Sequence, residues 1–238
     1  MINVNVPQAL APCLALFVLL APASAAAADG DGPATRCDNT HKDRLAGTPA
    51  EPGTRYRLAD DITVAAPALP AGWTIARCTA DEVVFVRADQ EKKVVLTASV
   101  ARTTMAPWHD EPGFANAVRA MFQRANGPSP QHLTTDAITS THVASHPCVD
   151  LRRSGTVSDD KDRAPDGSPA DPLVTREVAR VCHLQEPAHA GAAVLVVVKF
   201  SGAKDLGTLG ATADAFIGGV ALPAPAAPAS AAQRRFRR

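Results

Sequence analysis

Two short stretches of this chain carry residue types whose spacing could do chemistry. Ser201-Gly202-Ala203-Lys204 has the S-x-x-K spacing in which a lysine activates a serine for acyl transfer. His142-Val143-Ala144-Ser145-His146 sets two imidazoles four apart, which on a helix would bring both to one face as metal ligands. A third stretch is acidic. Asp159, Asp160, Asp162, Asp166 and Asp171 crowd residues 158–172, where carboxylates could gather around calcium.

Each stretch has a plainer reading in its neighbours. The serine and lysine lack the S-D-N and K-T-G segments that complete the acylase site, so a serine hydrolase using Ser201 and Lys204 is kept only as an alternative. Around the histidines, Ile138, Thr139, Thr141 and Val143 favour a strand and Pro147 follows directly, so a helical metal pair is not expected. The aspartates lack EF-hand spacing and alternate with Lys161 and Arg163, which reads as a solvated loop. No G-x-S-x-G, glycine-rich phosphate cradle or H-E-x-x-H occurs in the sequence. The expectation is therefore no catalytic residue, no metal site and no cofactor.

The elements that would position these residues are legible from apolar periodicity. Residues 193–201 read Ala-Val-Leu-Val-Val-Val-Lys-Phe-Ser, apolar on both faces, which predicts the central strand of a sheet. Residues 73–78, 82–87 and 93–101 have strand composition and predict an antiparallel meander. A helix is expected over 111–126, capped by Asp110 and stopped by Gly127-Pro128, with Phe114, Val118, Met121, Phe122 and Ala125 on one stripe. Strands at 137–143, 149–157 and 173–184 follow, with a loop at 158–172 between the last two. From Asp205, Leu206, Leu209, Ala213, Phe216, Ile217 and Val220 keep helical spacing and predict a closing helix. The fold class is thus α+β, an antiparallel sheet with two packed helices.

Composition fits a single domain with appendages: 238 residues, 46% apolar, with equal numbers of acidic and basic side chains. Charge is unevenly placed. Arg234, Arg235, Arg237 and Arg238 end an Ala/Pro-rich tail, and setting them aside leaves 20 basic against 24 acidic residues. A body near −4 offers no broad basic surface for nucleic acid. Aromatic residues make up only 4%, too few for a base-stacking or sugar-stacking platform.

At the other end, residues 9–20 form an apolar run and Ala23-Ser24-Ala25 a small-residue cleavage site, the pattern of an export signal, although no Lys or Arg precedes the run. The run is too short for a comfortable membrane span, and no stable span is expected after cleavage. The expected organisation is a signal peptide at 1–25, an irregular lead-in at 26–54, one α+β domain at 55–222 and a disordered basic tail at 223–238. Cys37, Cys78, Cys148 and Cys182 remain after the signal, an even number suited to two disulfides in a periplasmic or secreted protein.

The hairpin flanking residues 158–172 fixes the pairing. If its strands pair symmetrically, opposed positions sum to 330, which sets Cys148 against Cys182, Val149 against Val181, Asp150 against Arg180 and Arg153 against Glu177. A slip of one breaks every match. A Cys148–Cys182 disulfide follows, leaving Cys37 for Cys78, and a loop of that length stabilises the fold by roughly 3 to 4 kcal/mol.

The order of elements over residues 56–222, above all the strand followed by a closing helix, resembles in architecture the small exported PsbP-like domains, including the DcrB-like periplasmic proteins of bacteria. That resemblance implies an accessory or binding protein without catalytic activity, acting on a protein partner the sequence does not identify. An immunity protein against a toxin would share every one of these features. Residues 158–172 and the tail are the expected partner surfaces.

Overall fold

The computed structural model describes residues 34–39, 44–68, 70–89, 94–125, 133–157, 173–184, 191–202 and 209–224, all within one unit, Gly32–Arg238. The expected signal peptide, the loop at 158–172, Lys204 and residues 225–238 of the tail lie outside them.

Seven strands form the main sheet: β4 (Thr74–Cys78), β5 (Glu82–Asp89), β6 (Val94–Thr104), β7 (Thr134–Val143), β8 (His146–Val157), β9 (Leu173–His183) and β10 (Ala192–Gly202). Their spatial order is β4-β5-β6-β10-β9-β8-β7, antiparallel throughout. β10 is the middle strand, as its two apolar faces require. Val194, Val196, Val198 and Phe200 are buried on one face, and Gly202 ends that row because a Cβ there would stand 2.9 Å from both Phe200 and Val94.

Helix α1 (Glu111–Ala125) opens with the Asp110 carboxylate accepting the Gly113 N–H at 2.7 Å, an N-cap that satisfies one exposed first-turn amide. Its buried stripe is Phe114, Val118 and Phe122, four residues apart, and it packs on β7 and β8. Helix α2 (Leu209–Gly218) buries Leu209, Thr212, Ala213, Phe216 and Ile217 against the opposite face.

Sequence periodicity does not anticipate a second sheet. β1 (Thr35–Arg36), β2 (Arg55–Arg57), β3 (Thr63–Ala65) and β11 (Val220–Ala221) form four short strands in the order β1-β2-β3-β11, with a 3-10 turn at Ala59–Asp61. The lead-in is therefore less irregular than expected. Thr35 and Arg36 pair in parallel with β2, and residues 47–50 hydrogen-bond along the outer edge of β4. The alternation of Ile62 and Val64 with polar neighbours marks the start of order over residues 56–66, but the pairing of these two- and three-residue strands depends on contacts distant in the chain.

Two buried clusters result. The larger lies between the small sheet, α2 and the main sheet, around Trp73, Phe85, Phe200 and Phe216. The smaller lies under α1, where Phe114, Val118 and Phe122 meet Val149, Leu151, Ala179, Val181 and Ala193. One disulfide stands in each half of the main sheet, Cys37–Cys78 and Cys148–Cys182. β8 and β9 pair with position sums of 330 from Cys148–Cys182 to Val157–Leu173, and the second disulfide joins directly opposed residues 4.0 Å apart at Cα.

Candidate functional site

Ser201 and the histidine pair singled out by spacing lie toward opposite ends of the main sheet's strands. Ser201 sits near the end of β10 opposite Thr175, and its hydroxyl is 3.2 Å from the Thr175 hydroxyl, a partner with no basicity to activate it. Lys204 lies outside the described residues. Histidines stand at the other end of the strands: His183 opposes Ala193, eight residues up β10 from Ser201, or roughly 26 Å.

His142 and His146 are on strands rather than a helix, flanking the two-residue turn Ala144-Ser145. Both turn residues have positive φ, 48° and 68°, the mirror-image turn that matches strand twist. The rings serve different contacts. His142 is exposed, with Nε2 3.4 Å from Glu111 Oε1 on α1, whereas His146 is fully buried, with Nε2 2.8 Å from the Pro223 carbonyl oxygen. Among the described residues no group of three or more His, Cys, Asp or Glu is arranged to hold a metal.

Where charge is buried, it is buried in pairs. Arg153, Glu177 and Lys199 are direct cross-strand neighbours on β8, β9 and β10. Arg153 Nε lies 3.2 Å from Glu177 Oε1, off the axis of a true hydrogen bond, and its Nη1 donates to the Phe122 carbonyl at 3.1 Å. The guanidinium also sits 4.9 Å from the Phe122 ring centre, a cation–π contact under the last turn of α1. Burial raises the Glu177 pKa, and the two nearby cations only partly offset it. On the opposite face Arg180 binds Asp150 through two hydrogen bonds of 2.6 and 2.9 Å. Both pairs fasten neighbouring strands together.

Sequence spacing overlooks two further features. His183 presents its ring to Trp108 at 5.3 Å and to Phe114 at 6.3 Å, both edge-on, with Nδ1 buried and without a hydrogen-bond partner. Burial lowers its pKa and the nearby His146 lowers it further. The other feature is an apolar cleft of about 520 Å³ between α2 and the chain leaving β3, walled by Ala65, Ala66, Pro67, Ala211, Ala215 and Gly219 among others. Its signal was present in the sequence: Ala211, Ala215 and Gly219 recur every four residues, a stripe of small side chains along one helix face. Its volume falls within the range of ligand sites.

Among the described residues no helix is long and apolar enough to cross a membrane. Compared with known proteins, the chain matches no protein-family model and no curated protein sequence.

Proposed function

We propose that this protein is an exported accessory protein of PsbP-like arrangement that acts by binding a protein partner and has no catalytic centre. The cleft beside α2 carries the reading: it is apolar and walled by small residues, so that a partner's apolar side chain can enter without displacing the core behind Phe216. The dispersal of Ser201 and the histidines over a strand length supports the same side, as do two disulfides suited to an oxidising compartment.

Capture from periplasmic extract by the mature chain tests it, in parallel with Ala215→Trp, which fills the cleft from an exposed helix position. A partner held by the parent chain and lost from Ala215→Trp is the expected result. Equal capture by both would remove the cleft from the reading. A toxin among the captured proteins would identify the immunity role, and labelling of Ser201 by a fluorophosphonate would overturn the non-catalytic reading altogether.

A further inference from the structure

The cleft beside α2 has a base unlike its mouth. Ala211, Ala215 and Gly219 stand exposed along the mouth, whereas Thr212 and Phe216, one turn apart on the same helix, are 7% and 4% exposed at the base. Phe216 is held in place edge-on to Phe85 at 6.0 Å. Among the described residues that wall the cleft, Thr212 is the one polar side chain, and none carries a charge. Its hydroxyl can give one hydrogen bond and accept two, and it has no partner among the described residues. A buried hydroxyl left unpaired costs free energy, so one that lines a space of about 520 Å³ points to a ligand that brings its own polar atom.

We infer that the group this cleft takes is a tyrosine side chain of the partner, its ring against Phe216 and the alanine wall and its hydroxyl bonded to Thr212 Oγ1. The inference rests on the reading of the cleft as the partner's site and names what enters it. An aliphatic side chain or a phenylalanine would fill the space but leave Thr212 unpaired, and a charged group would be buried without a counter-charge. Serine and threonine bring a hydroxyl but little apolar surface for a cleft of this size. Tyrosine has both, a flat apolar body and a polar tip that reaches the base first, and it is among the residues that anchor interfaces. A second copy of this chain cannot supply it. Tyr56 is the single tyrosine, and it is 3% exposed in the larger core.

Methyl-resolved NMR of the mature chain, titrated separately with p-cresol, toluene, N-acetyltyrosinamide and N-acetylphenylalaninamide, tests it. The two phenols should shift the methyls of Ala66, Ala211 and Ala215 and bind about three- to tenfold tighter than their counterparts without the hydroxyl. Thr212→Val, which keeps the shape and removes the hydroxyl, should erase that preference while still binding toluene. Thr212→Ser should restore it. Equal affinity within each pair in the parent chain overturns the tyrosine but spares the cleft as an apolar site. Binding of p-cresol with N-acetyltyrosinamide excluded overturns it in favour of a free phenol. If no probe shifts the cleft methyls, the reading of the cleft as a binding site fails, and the tyrosine with it.

Discussion

The two faces of the main sheet are covered at opposite ends and with unlike materials. Over β4, β5, β6 and β10 the cover is a small sheet plus α2, and the cluster beneath is almost wholly apolar, with Phe85 edge-on to Tyr56 at 5.3 Å and to Phe216 at 6.0 Å. Over β8 and β9, on the other face, the cover among the described residues is α1 with Met105 and Trp108 beside it, and its smaller cluster borders a buried ion pair and a half-buried histidine. The lesson is that cover follows strand composition. β8 and β9 turn Asp150, Arg152, Arg176 and Arg180 away from α1. That face carries the exposed Arg152 and Arg176 and the half-buried Asp150–Arg180 pair, with α2 reaching only part of β9, whereas the valines of β10 and β5 demand burial.

If the larger cluster carries most of the stability, its centre is the place to break it. Phe85→Ala removes a fully buried ring that bridges the small sheet, the main sheet and α2. It should cost about 3 to 5 kcal/mol, read as a fall in denaturation midpoint. Phe114→Ala under α1 should cost less, because Phe114 borders the half-buried Trp108, which can collapse toward the space. Equal losses at the two sites would remove the asymmetry.

How much of this could be read beforehand depended on how local the determining contacts were. The β8–β9 register was legible because several pairs, Cys148 with Cys182 and Asp150 with Arg180 among them, agree on one sum, and one shift would ruin all of them. β10 as the middle strand was legible from its nine consecutive residues. The small sheet was not, since Thr35 finds Tyr56 and Val220 finds Val64 only through the folded core. The same holds for the covered edge of β4, where backbone groups of residues 47–50 do the pairing and side-chain pattern carries no trace of it. Of the candidate sites, spacing proposed Ser201 and His142, but what those side chains meet is decided by tertiary placement: strand register puts Thr175 beside Ser201, and the packing of α1 puts Glu111 beside His142.

The ion pair sharpens the comparison by asking whether α1's cluster needs its charges. Arg153→Met alone leaves the Glu177 carboxylate buried with only Lys199 nearby and removes the bond to Phe122, so a loss of roughly 1 to 3 kcal/mol is expected. Arg153→Met with Glu177→Leu removes both charges and should return to within about 1 kcal/mol of the parent. Chemical denaturation of the two variants decides it. A double variant as weak as the single would mean the pair contributes more than its burial costs.

The smallest expected effect is a spectral one, and the molecule carries its own reporters. Its two tryptophans fall one to each cluster, Trp73 in the larger and Trp108 against His183 in the smaller. Because burial lowers the His183 pKa below 6.5, folding is favoured by this group above that value, and its contribution is lost as pH falls through the folded pKa. Glu177 has the opposite sign. Its raised pKa means the folded state holds a proton longer than the unfolded one, so its contribution falls as pH rises above 4.5. Lowering pH from 7 toward 5 therefore weakens the fold through His183 while Glu177 opposes it. Protonation of His183 should nonetheless quench Trp108 in a Trp73→Phe variant, because imidazolium accepts an electron from excited indole at contact. Trp73 in a Trp108→Phe variant should stay constant over the same range, since the titratable member of its buried cluster among the described residues is Tyr56, whose raised pKa keeps it protonated there. Loss of the Trp108 response in His183→Leu would assign the titration to that ring. Equal quenching of Trp73 would show instead that the two clusters loosen together, and that the sheet between them passes the disturbance on.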